Sequence, residues 1–124
     1  MSDYRRFKVK RGVHVSSKCV GGSFKFRSAL EEKYAKQLDA DDDVLSYSYE
    51  RVVIPYVVND KQHMYHVDLV VQRRDVCCLV EVKYSTYVSD EVNVVKFDAA
   101  RSWCKDNACE FVVITEKDIK KCKP

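Results

Sequence analysis

At 124 residues, with 46% apolar and 33% charged side chains, the chain has the material for one core and the composition of a globular protein. No run approaches the roughly 18 apolar residues that a membrane span needs, and no apolar segment follows the basic N-terminus. Neither a membrane span nor a secretory leader is therefore expected, and a cytoplasmic protein is, in a host cell if the source is viral.

The net charge of +3 is unevenly spread: residues 1–27 carry eight basic side chains against Asp3 alone, a net of +7, and the remainder carries −4. Those eight are Arg5, Arg6, Lys8, Lys10, Arg11, Lys18, Lys25 and Arg27, interleaved with Tyr4, Phe7, Phe24 and Phe26. Such a mixture suits a polyanion partner. Residues 1–25 show no strong period and Gly21-Gly22-Ser23 reads as a hinge, so a basic N-terminal arm is expected ahead of a single domain over residues 26–124. With no secretory leader expected, the six cysteines are read as reduced thiols, and the lack of a CxxC pair argues against a structural zinc site.

A helix is predicted from Ser28, where Leu30, Tyr34 and Leu38 form an apolar stripe. Ser28 is a good N-cap, and Glu31 either completes a capping box or looks inward beside the stripe. The acidic run Asp39 to Asp43 ends the helix as a solvated turn. Tyr47 to Val58 is β-prone, with Pro55 implying an edge or a bulge, and Asn59-Asp60 turns the chain. A second helix is predicted from Ser89 or Asp90 to about Asp106, burying Val92, Val95, Ala99 and Trp103 and turning Lys96 and Arg101 away. Cys109 to Thr115 reads as a short buried strand, and Thr115 with Asp118 suits a final short helix. The order is α-β-β-β-α-β.

Between those helices lies the stretch Tyr65 to Lys83, two β-rich runs broken at Arg73-Arg74-Asp75. A hairpin turning there sets Asp68 opposite Glu81 and His66 opposite Lys83. Cross-strand Cβ atoms lie roughly 4.5–5.5 Å apart, close enough for two carboxylates to share one divalent ion. Val70 and Leu79 share the carboxylate face, while Val67, Leu69, Val71, Val80 and Val82 fill the other, so the hairpin is buried on both sides. Two like charges facing each other there require a cation in compensation.

An Asp68…Glu81-Val82-Lys83 hairpin in this element order resembles the PD-(D/E)XK nuclease superfamily, with Val67 where the family's proline usually stands. The resemblance implies a restriction-endonuclease-like α/β fold: an α-β-β-β-α-β core with a central mixed sheet flanked by helices. FRSALEEKYAKQLD, Tyr49-Glu50 and Pro55-Tyr56-Val57 look like the junction-resolving endonuclease I of short-tailed bacteriophages, over about residues 26–83. That likeness puts the family's helix carboxylate at Glu31. The same core, with its closing strand and Thr115-Glu116, resembles the TnsA endonuclease subunit of heteromeric transposases.

These resemblances imply phosphodiester hydrolysis in DNA with one or two Mg²⁺ or Mn²⁺ ions. Asp68 and Glu81 hold the ion with the carbonyl of Val82, Glu31 reaches a second ion or its water, and Lys83 orients or deprotonates the attacking water. His66 touches the phosphate, and the basic arm grips the backbone outside the cut. The expected activity is structure-selective cutting of branched DNA such as a Holliday junction by a homodimer, with segments exchanged between Asp39 and Glu50 so that Glu31 meets Asp68 of another chain. A TnsA-like or homing-type strand-nicking endonuclease, or a non-catalytic DNA-binding adaptor of the same fold, stand as alternatives.

Overall fold

The computed structural model describes residues 10–121. Four strands form the central sheet: β3 (Val44–Tyr49), β6 (Leu69–Arg73), β7 (Cys77–Val82) and β8 (Glu110–Ile114), in the order β3-β6-β7-β8. The first two contacts are antiparallel, and β7 with β8 is parallel, which makes the sheet mixed. Two short ribbons flank it, β1 (Gly12–Val15) with β2 (Ser23–Phe26) and β4 (Val53–Val58) with β5 (Lys61–His66). Helices α1 (Ala29–Ala40), α2 (Glu91–Asp106) and α3 (Glu116–Lys121) complete the chain.

The inner strands are buried on both faces over Leu69–Val71 and Cys78–Val82, where nearly every residue is apolar. On one face Leu69, Val71, Cys78 and Val80 pack with Leu30, Tyr34 and Leu38 of α1 and Ile119 of α3. On the other, Leu79 packs with Ile54 and Tyr65 of the β4–β5 ribbon and with Ala100 and Cys104 of α2. The predicted stripe of α1 is the buried one. Its start is held by Ser28, whose hydroxyl accepts the Glu31 N–H at 3.1 Å.

Both long β-prone runs are cut in two, which adds strands to the expected core order. Tyr47 to Val58 breaks at Glu50, whose φ of +52° ends β3 before β4 begins. The run from Tyr65 breaks at Val67–Asp68, so β5 leaves the central sheet and pairs with β4. His66 therefore lies opposite Val53 and not opposite Lys83. Val67 likewise changes sides and packs in the cluster of Leu79. From Leu69 onward the hairpin keeps the predicted register, with Leu69 opposite Val80 and Gln72 opposite Cys77. Asn59 and Asp60 both have positive φ, the geometry of a tight two-residue hairpin turn.

Two further sequence expectations differ from the fold. Gly12–Val15 and Ser23–Phe26 form a hairpin whose Phe24 and Phe26 enter the core. Asp39 ties this hairpin to α1 and β3, accepting hydrogen bonds from Ser16 (2.6 Å) and Tyr47 (2.7 Å) and pairing with His14 (2.7 Å). Along α2 the buried face is Asn93, Phe97, Ala100 and Cys104, while Val92 is exposed. Phe97 is the largest apolar side chain within that helix's central turns and decides the facing, with Asn93 inward because its amide donates to the Tyr87 carbonyl at 2.7 Å. The five described cysteines are free thiols, and no described helix is long and apolar enough to cross a membrane.

Candidate active site

Where β6 and β7 run out of the sheet, a cleft of about 650 Å³ opens between α1, the β4–β5 ribbon and α2. Glu31, Asp68 and Glu81 all line it and all are buried, at 5%, 6% and 3% exposure. Each reaches the cleft for a separate reason. Glu81 is on the β7 face that looks toward α2, two residues beyond Leu79. Asp68 sits in the bend between β5 and β6, where its carbonyl accepts the Glu50 N–H at 2.9 Å. Glu31 comes from the first turn of α1, held by the Arg27 N–H at 2.7 Å.

The hydrogen bonds hold these carboxylates in fixed positions. The Val82 N–H donates to Asp68 Oδ2 at 2.8 Å. Tyr65 donates its hydroxyl to Glu81 Oε1 at 2.6 Å, while Lys83 Nζ lies 3.4 Å from Glu81 Oε2. Arg27 stands at the mouth, paired with Glu50 at 2.7 Å, donating to Tyr49 Oη at 2.9 Å, and 3.7 Å from Asp68 Oδ1. Tyr49 in turn donates to Glu31 Oε1 at 3.3 Å.

Electrostatically the cluster is short of positive charge. Burial, and then the neighbouring carboxylates of Glu81 and Glu31, push Asp68 well above the usual carboxylate range, and the Val82 N–H and Lys83 only partly offset this. Burial also raises Glu31, against the pull of Arg27. Among the described residues no three His, Cys, Asp or Glu side chains form a ready-made metal cage. Glu31, Asp68 and Glu81, the side chains expected with the Val82 carbonyl to hold the ions, thus line one cleft without forming such a cage.

Of the residues singled out in the sequence, Glu31, Asp68, Glu81, Val82, Lys83, Arg27 and His66 come together in the cleft. Glu31 and Asp68 do so within one chain. Lys10 instead pairs with Glu32 at 2.8 Å. Lys18 donates to the carbonyls of Asp41 (2.7 Å) and Leu38 (3.4 Å), closing the end of α1. Arg11 and Lys25 lie on the β1–β2 hairpin side, away from the cleft lining. Arg5, Arg6 and Lys8 lie outside the described residues. Sequence reading missed Tyr65, Glu50 and Lys96, all of which line the cleft. Tyr65 precedes the break at Val67–Asp68, and only that break turns its hydroxyl toward Glu81.

Comparison with known families matches residues 41–116 to the TnsA-like endonuclease N-terminal family. The match runs from the end of α1 to the start of α3 and so contains Asp68, Glu81 and Lys83, with Glu31 lying ahead of it. A comparison with curated proteins found no match.

Proposed function

The chain belongs to the TnsA-like endonuclease N-terminal family, and on that premise we propose that it is a divalent-ion-dependent DNA endonuclease cutting one phosphodiester bond per cleft. The observation that carries this reading is the burial of Glu31, Asp68 and Glu81 together, with Asp68 driven up by its neighbours. Hard oxygen donors short of positive charge fit Mg²⁺ or Mn²⁺. Asp68 and Glu81 would hold the ion with the Val82 carbonyl, and Glu31 would take a second ion or its water. Bound there, a divalent ion supplies Lewis-acid polarisation of the phosphate and a more acidic water.

The chain's own groups do the rest. Lys83, its ammonium beside Glu81 Oε2, orients the attacking water and faces the charge that grows on the phosphate. Tyr65 fixes the Glu81 carboxylate in one orientation. Arg27 at the mouth contacts the backbone, and His66, exposed on the ribbon edge, reaches a phosphate beside it. Arg11 and Lys25, with Arg5, Arg6 and Lys8, extend the grip along the duplex, while Lys10 and Lys18 are held by Glu32 and by the end of α1.

These cations suit phosphates, which give position and salt-sensitive affinity but no base readout. That supports selection by DNA shape, with branched duplex as the preferred substrate. Resolving a four-way junction takes two cuts, so this reading carries a homodimer with it. Nicking of unbranched duplex is the second reading, favoured by the family match over residues 41–116. Cleavage of a four-way junction and of a linear duplex of the same sequence, each in Mg²⁺, tests both. Faster cutting of the junction supports branch selection, and equal cutting supports the nicking reading. Tight binding without cutting of either contradicts catalysis and leaves a DNA-binding adaptor.

A further inference from the structure

Lys96 projects from α2 into the cleft, although helical spacing from Val92 and Val95 turns it toward water. The shift of the buried face to Asn93 and Phe97 carries it there. Its ammonium lies over the ring of Tyr65, 4.7 Å from the centroid. A lysine on a surface helix ordinarily extends its charge into solvent. Here burial holds the ammonium below the usual lysine range, and Lys83 presses in the same direction, while Glu81 and Asp68 oppose the shift.

Glu81 and Asp68 act on Lys96 through space, but neither forms a described ion pair with it. Glu81 Oε1 is taken by Tyr65 and Oε2 faces Lys83. Asp68 Oδ2 is taken by the Val82 N–H, and Oδ1 faces Arg27. Two ammonium groups and a guanidinium thus share one cleft, and the ring of Tyr65 holds one of them in place without neutralising it. A positive charge kept in position and left for an incoming anion is the mark of a phosphate-binding group.

We propose that Lys96 binds a backbone phosphate of the cut strand, next to the phosphate facing Asp68 and Glu81, and so fixes where the strand lies in the cleft. The proposal rests on the reading of this cleft as a DNA site. It makes Lys96 a substrate-positioning residue in addition to the Asp-Glu-Lys set, supplied by the helix and not by the hairpin.

The test uses the full chain as wild type, Lys96→Gln, Lys96→Met and Lys96→Arg. Binding of a fluorescently labelled duplex is measured in Ca²⁺ from about 50 to 200 mM salt, with melting temperatures and Mg²⁺-dependent cutting alongside. Losing one phosphate contact lowers the slope of log affinity against log salt by about 0.9. That loss is expected for Lys96→Gln and Lys96→Met at wild-type melting temperature, with KM raised more than kcat is lowered. Lys96→Arg should keep the wild-type slope. An unchanged slope in the Gln and Met variants overturns the proposal, as does a lowered melting temperature in both with the slope intact. If the wild type cuts nothing while Lys96→Gln still loses its increment of slope, the nuclease reading falls and the phosphate contact stands. Normal cutting with no change of slope removes the phosphate contact and leaves the nuclease reading in place.

Discussion

Asp68 and Val82 are joined across the neck of the β6–β7 hairpin by a 2.8 Å hydrogen bond, in which the Val82 N–H donates to Asp68 Oδ2. The carboxylate is therefore fixed to the strand that carries Glu81 and Lys83, and its distance from them is set by backbone geometry. That rigidity keeps one buried carboxylate close beside two others.

Stability should record that cost. Asp68 is raised in the folded protein, so its ionisation opposes folding at neutral pH, and the penalty disappears as pH falls through its folded value toward the ordinary carboxylate range. Asp68→Asn retains an acceptor for the Val82 N–H and removes the charge. In metal-free buffer it should melt several degrees above wild type at neutral pH, and the gap should close by about pH 4. A lower melting temperature for Asp68→Asn at pH 7 would show that the charge is already compensated.

Tyr65 supplies the donor to Glu81 Oε1. Tyr65→Phe leaves that buried oxygen without it, and a hydrogen bond to a charged group is worth about 1.5–3 kcal/mol. The rate should fall roughly tenfold or more, with the ring still packed against Ile54 and Leu79. A wild-type rate would remove Tyr65 from the site's machinery.

Arg27 and Glu50 form a partly exposed pair, worth about 0–1 kcal/mol. Releasing Arg27 by Glu50→Gln should tighten DNA binding by about two- to fivefold, because the guanidinium no longer has a competing carboxylate. Weaker binding, measured by the same titration, would mean that Glu50 holds Arg27 in its working position.

Phe24 packs in the core and stacks on Tyr49 at 4.7 Å, which places it one residue removed from Glu31. Phe24→Ala should therefore cost about 3–5 kcal/mol in denaturant unfolding. A change near zero would detach the β1–β2 hairpin from the fold.

The charged residues inside apolar runs were the most legible part of the chain. Asp68, Glu81 and Lys83 stand out because strands rarely bury charge without a partner, and the turn at Arg74-Asp75 sets the register of the hairpin from Leu69 and Val80 inward. Helical spacing left Glu31 either a cap partner or an inward-facing carboxylate, and the resemblance to the phage endonuclease favoured the second. The breaks at Glu50 and Val67–Asp68 were not legible, because both lie within continuous β-prone sequence and neither carries glycine or proline. Those breaks bring Tyr65 and Glu50 to the cleft and take His66 off the hairpin. Lys96 was hidden by a one-position rotation of α2, since the exposed Val92 is as apolar as the positions that pack. Phe24 and Phe26 alternate with Ser23 and Lys25, a period-two pattern too short to separate from an aromatic-basic tail.

If Asp68 and Glu81 together serve DNA hydrolysis, removing one charge of the pair must cost the reaction far more than the fold. The nicking of supercoiled plasmid by wild type and by Glu81→Gln in Mg²⁺, with EDTA as the control, puts this to the test. Wild type should cut in a way that EDTA abolishes, and the variant should lose at least about 10²-fold with no fall in melting temperature. Equal nicking by both proteins would contradict a role for the pair in hydrolysis.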